Sequence, residues 1–151
     1  MILNRQRQVR VSVAGLEKFL AGAGRALRMP LDSFTVCLVT NAEIARWNRA
    51  YRGKPRPTDV LSFPSDESNG TRRAKPKKLL KKHQPAPYIG DIAIAPQVAR
   101  RNAERFGRSF DDEMRILMLH GMLHLMGYDH ETDTGQMERR ERRLRRQLGL
   151  M

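Results

Sequence analysis

The sequence predicts an α/β fold in which about five helices pack on a small, mixed four-stranded sheet. Three observations lead there. Short runs rich in β-branched residues alternate with segments whose apolar residues recur every three to four positions. Prolines and glycines fall mainly at the joins between these runs. The length, 151 residues, suits one domain spanning 1–151 with a core that needs no staples.

The elements follow in order. Residues 2–9 read as an edge strand. Residues 13–28 carry apolar Leu16, Phe19, Leu20 and Leu27 at helical spacing, and the pattern stops at Met29-Pro30. Residues 33–40, around Cys37, are β-branched and read as a strand. Asn41 is an expected N-cap for a helix reaching Tyr51, and residues 52–58, with two prolines and a glycine, form a loop. A short strand covers 59–63 and ends at Pro64. Residues 65–86 change composition to Ser, Asn, Gly, Pro and a cluster of basic residues, which predicts a solvated, mobile loop.

Residues 88–95 alternate as a strand, and Pro96 opens a helix to Phe106. Ser109 with Asp112 is a capping signal for a helix reaching Met126. A last helix, 134–148, turns Met137, Leu144 and Leu148 inward. No internal repeat is present, and strand order is not readable from this pattern.

Charge restricts the partner. Twenty-nine Lys and Arg against 16 Asp and Glu give a net charge of +13. Such an excess attracts polyanions, phosphate backbones above all. Arg72, Arg73, Lys77, Lys78, Lys81 and Lys82 in the basic loop are candidate RNA contacts, as are the six arginines between 139 and 146. Against the latter, Glu138 and Glu141 lie within one turn and invite surface pairs. Aromatic residues make up only 6%, which argues against an extended base-stacking platform. A single cysteine allows no intrachain disulfide. The N-terminus lacks an apolar run of signal-peptide length, and the longest apolar stretch, 116–128, falls short of the roughly 20 residues a spanning helix needs. The expected location is cytoplasmic.

The chemistry concentrates in His120-Gly-Met-Leu-His124-Leu-Met-Gly-Tyr-Asp-His130, which holds three of the four histidines. His120 and His124 stand at i and i+4, on one helix face about a turn apart. Gly127 allows a sharp exit from the helix that can bring His130 back toward them. Burying three imidazoles without a partner is costly. The spacing therefore predicts one divalent ion, Zn2+, held by His120, His124 and His130 at the end of the central helix, with an open coordination position. In the H-E-x-x-H pattern of zinc proteases the second residue is the general base. Here it is Gly121, which cannot take a proton.

Those eleven residues resemble the signature of the bacterial YbeY family. A second block, Tyr51-Arg52-Gly-Lys-Pro-Arg-Pro57-Thr58-Asp59-Val-Leu-Ser62-Phe63-Pro64, is similar to the family's Y-R-x-x-x-x-P-T-D-V-L-S-F-P stretch, and Gly90-Asp91-Ile92 matches its G-D-I strand. The resemblance implies a single-strand-specific, zinc-dependent endoribonuclease acting in 16S rRNA 3′-end maturation and ribosome quality control. It implies rRNA, the 30S subunit and other assembly proteins as partners, and Arg52 with His120 as catalytic residues. The 66–86 loop is longer than the family pattern, and its role is not carried over. Asp91 and Asp129 are candidate bases that fit an orienting role equally well. Two rival readings fit the same residues. A non-catalytic, zinc-containing ribosome-assembly factor would bind rRNA without cutting it, and a small metallopeptidase would cut peptides in a chelator-sensitive way.

Overall fold

Four strands form a sheet in the order β1-β2-β4-β3. The computed structural model describes residues 1–65, 87–129 and 133–150. The elements are β1 (Ile2–Asn4), α1 (Val13–Leu27), β2 (Phe34–Leu38), α2 (Asn41–Arg52), β3 (Val60–Pro64), β4 (Gly90–Ile94), α3 (Pro96–Phe106), α4 (Phe110–Leu125) and α5 (Gln136–Gln147). β1, β2 and β4 run parallel, while β3 pairs antiparallel with β4 and forms the far edge. The mixed sheet and five helices match the expected fold class. The basic loop residues and His130 lie outside the described residues.

Local chemistry accounts for the boundary differences. The first strand stops at Asn4 because the buried Gln6 side chain takes over the next backbone groups. Its Oε1 accepts from the N–H groups of Gln8 and Val9, and its Nε2 donates to the Val9 carbonyl at 3.0 Å. Thr40, not Asn41, caps α2: its Oγ1 accepts from the Glu43 N–H at 3.1 Å, and Asn41 is already helical. Helix α5 starts after Asp133, whose carboxylate accepts from the N–H groups of Gly135 and Met137, both at 2.9 Å.

The strands alternate between two apolar faces. Phe34, Val36, Leu38, Ile92 and Ile94 pack with α1, α4 and α5 in the larger core. Leu61 and Ala93 pack on the other face with Ile44 of α2, against Cys37, Trp47 and Phe63. Helix α4 is buried on nearly every side, as expected of a central helix apolar all round. It sits unusually close to the sheet. A Cβ on Gly121 would lie 2.7 Å from Ile92 Cγ2, so glycine sets the depth at which α4 rests on β4. No helix among the described residues is long and apolar enough to cross a membrane.

Candidate active site

The exposed edge of α4 carries His120 and His124 with ring centroids 4.8 Å apart and planes at 72°. Both line a cleft of about 560 Å3 that runs between α4 and β3. Helical spacing puts the rings together, and the neighbouring position 121 faces the sheet. The absence of a carboxylate there is thus a packing requirement as well as a chemical departure from the protease pattern. The Ser62 hydroxyl donates to the Gly121 carbonyl at 3.3 Å and ties β3 to this turn of α4. After α4, Gly127 adopts φ 100°, and the Tyr128 N–H closes back on the Leu123 carbonyl at 3.1 Å. This is the sharp exit that the glycine predicted.

His120 has a second partner that the sequence reading did not assign to it. Glu141 of α5 places Oε1 3.0 Å from His120 Nδ1, with the Glu141 side chain 15% exposed. Its other oxygen lies 3.6 Å from the Arg145 guanidinium. A signal for this existed: Met137, Glu141, Leu144 and Leu148 share one inward stripe, where a lone carboxylate among apolar residues needs a partner. Of the expected surface pairs, Glu138 and Arg142 do meet, at 2.7 Å.

The opposite wall of the cleft begins at the end of α2. Arg52 is the last residue of that helix, not a loop residue, and lines the cleft at its exposed mouth. Gly53 follows with φ 73°, ending the helix. The chain beyond it is held from beneath by the buried Asn48, whose Nδ2 donates to the Arg56 carbonyl at 2.9 Å, while the Asn48 carbonyl accepts from the Lys54 N–H at 3.3 Å. Asp59, where the chain enters β3, accepts from Asn102 Nδ2 at 3.1 Å, which braces the wall against α3.

The two candidate bases part company. Asp129 lines the histidine cleft. Asp91 faces the other side of the sheet, where its carboxylate accepts a hydrogen bond from the Tyr88 hydroxyl. Burial and this bond push the Tyr88 pKa up to about 12. Burial, reinforced by the nearby Asp91 charge, also pushes the Cys37 thiol up. The structure thus brings together His120, His124, Arg52 and Asp129 around one cleft, backs His120 with Glu141, and places Asp91 on the other side of the sheet. No cluster of three or more metal-ligating side chains is found among the described residues, which do not include His130.

The family model for endoribonuclease YbeY matches residues 2–149. An endoribonuclease YbeY from Nautilia profundicola is 41% identical over 113 residues, covering 75% of this chain and 70% of that protein. Another from Koribacter versatilis is 37% identical over 150 residues, covering 99% of this chain and 86% of that one. The solution structure of a Thermotoga maritima protein superposes with a TM-score of 0.62 at 26% identity, covering 98% of this chain and 89% of that one.

Proposed function

This chain belongs to the endoribonuclease YbeY family, and we propose that it is a single-strand-specific, zinc-dependent endoribonuclease of 16S rRNA 3′-end maturation and ribosome quality control. In this reading residues 1–151 form one catalytic domain that works on the 30S subunit with other assembly proteins. The observation that carries it is the pair His120 and His124, set 4.8 Å apart in a cleft whose other wall presents Arg52.

The residues fit a bound metal ion. A hydrogen bond from Nδ1–H of His120 to the Glu141 carboxylate leaves Nε2 as the ring's lone-pair donor, the form a ligand requires. His124 stands beside it, and His130 is the proposed third ligand. Zinc is the expected ion, although three imidazoles also accept other first-row divalent metals. When bound, it supplies Lewis-acid polarisation of a phosphoryl oxygen and lowers the pKa of a water.

The chain's own residues supply positioning. Arg52 presents a planar fork to a phosphodiester and offsets the charge that grows on its oxygens during cleavage. Asn48 fixes the loop after Arg52, and Ser62 fixes the turn of α4 beneath His120. The net charge of +13 supplies general attraction to the RNA backbone.

The test is cleavage of a precursor 16S 3′-end RNA by highly purified protein, with His120→Ala and Arg52→Ala prepared identically. Loss of cleavage in both is expected. Arg52→Ala should fall by about 10²–10³-fold, in line with removal of one transition-state donor, and should keep its metal. Equal cleavage by wild type and His120→Ala would assign the activity to a contaminant and leave an assembly factor without its own nuclease.

A further inference from the structure

A second pocket lies across the sheet from the histidines, and we infer that it holds one nucleobase of the bound RNA beside the scissile phosphate. The inference rests on the endoribonuclease reading and adds a base subsite to it. The pocket, about 390 Å3, is built by a local shortage of side-chain volume. Cys37 and Ala93 are paired neighbours on β2 and β4, and Ala50 of α2 lines the same space. The other face of the same strands carries Val36, Leu38, Ile92 and Ile94, which fill the larger core. The volume lies near the lower end of the range for small-ligand pockets.

Its walls suit a flat ring. The chain has only nine aromatic residues, one Trp, three Tyr and five Phe, yet three of them converge here. Trp47 meets Phe63 at 6.0 Å and 86°, and Tyr51 meets Phe63 at 4.7 Å and 63°. These are edge contacts, so the aromatics are not stacked on one another. Sequence-specific RNA recognition inserts unstacked bases against such faces and reads their edges by hydrogen bonds. The low aromatic content argued against an extended stacking platform, but it does not argue against a single slot.

Among the described residues, the only charged side chain in the lining is Asp91. A carboxylate repels a phosphate and accepts a hydrogen bond from an exocyclic amino group. The pocket therefore favours a base, whose N–H donors a carboxylate accepts, over the backbone. Continuity with the cleavage site is direct. Tyr51 lines both pockets, and Arg52 follows it at the end of α2. Between the pockets runs β3, the edge strand, whose Ser62 and Pro64 line the histidine cleft while Phe63 lines the second pocket. A strand of RNA rounding this edge at Tyr51 keeps a phosphate on the Arg52 side and turns a base to the other.

Trp47 is the only tryptophan and reports on the pocket. The experiment titrates the full-length, zinc-loaded protein with a single-stranded RNA substrate. A matched series carries one abasic site at successive positions around the cleavage point. Tryptophan fluorescence and cleavage are read together. Intact RNA should quench Trp47, and one abasic position should abolish the quench and raise KM by about 5–150-fold, the range for one stacked base. Ala50→Phe, which fills the pocket from an exposed position on α2, should raise KM similarly with zinc content and Tm unchanged. Asp91→Asn should weaken the quench by the intact RNA.

Cleavage with no Trp47 response and a wild-type KM for Ala50→Phe would overturn the subsite and leave the endoribonuclease reading intact. Equal quenching by every abasic RNA would also overturn it, since the signal would then not come from a base. RNA that is neither bound nor cut would remove the endoribonuclease reading, and the subsite with it.

Discussion

Glu141→Ala should weaken zinc binding without unfolding the protein. The carboxylate lies 3.0 Å from His120 Nδ1, and the two side chains are 15% and 28% exposed, so the contact is shielded but not fully buried. Losing an outer carboxylate of this kind costs roughly 10–100-fold in metal affinity. That corresponds to about 1.4–2.7 kcal/mol. Arg145, 3.6 Å from the other oxygen, already draws on the same charge, which places the expected loss near the lower end, about tenfold. Glu141→Gln keeps an acceptor but no charge and should lose less. Affinity is measured by competition with a chromophoric chelator, with melts of the metal-free proteins as the folding control. Nitrogen NMR of His120 gives an independent reading: the ring proton should no longer favour Nδ1 once the carboxylate is gone. A folded Glu141→Ala protein with wild-type zinc affinity and an unchanged tautomer would show that Glu141 serves only Arg145.

Gly121→Ala sets two effects against each other. Overpacking against Ile92 costs about 1–3 kcal/mol, and the better helix propensity of alanine returns about 1. The net prediction is a Tm lower by up to about 8 °C, with the loss reduced in an Ile92→Ala background; a rise in Tm would show slack between α4 and the sheet. Because the Cys37 pKa is raised, less thiolate exists at any given pH, so alkylation by iodoacetamide should be slow at pH 8 and climb only above the usual thiol range. Asp91→Asn removes one cause of that shift and should speed the reaction; no change would mean burial alone controls it. RNA affinity should fall steeply with salt, by about 0.7 log units per log unit of salt for each phosphate neutralised. An affinity flat from low to moderate salt would refute a charge-driven interface.

What the sequence made legible is what local spacing determines. His120 and His124 fall on one face because four residues make about one helical turn, and Gly127 marks the exit that follows. Caps, breakers and apolar stripes located most elements to within a few residues. The rest depended on partners far along the chain. Strand order gave no local signal, and without it Asp91 and Asp129 looked equivalent, although one strand position decides that Asp91 faces α2 while Ile92 packs beneath α4. Glu141 reaches a histidine 21 residues away, across a connection whose path no periodicity describes. Arg52 reads as the first loop residue because prolines and a glycine follow it, whereas α2 runs one residue past Tyr51 before Gly53 ends it.

The pairing of β3 with β4 has a consequence for how this chain can change. Pro64 sits opposite Gly90, where an added Cβ would come within 2.4 Å of the Phe63 carbonyl oxygen, and the Ser65 N–H donates to the Ile89 carbonyl at 2.6 Å just beyond. The two ends of the intervening segment are therefore clamped together by backbone, whatever its length. Side chains take no part in this clamp, so substitutions at Ser65 and Ile89 can accumulate while β3, and with it the wall of the histidine cleft, stays in register with β4.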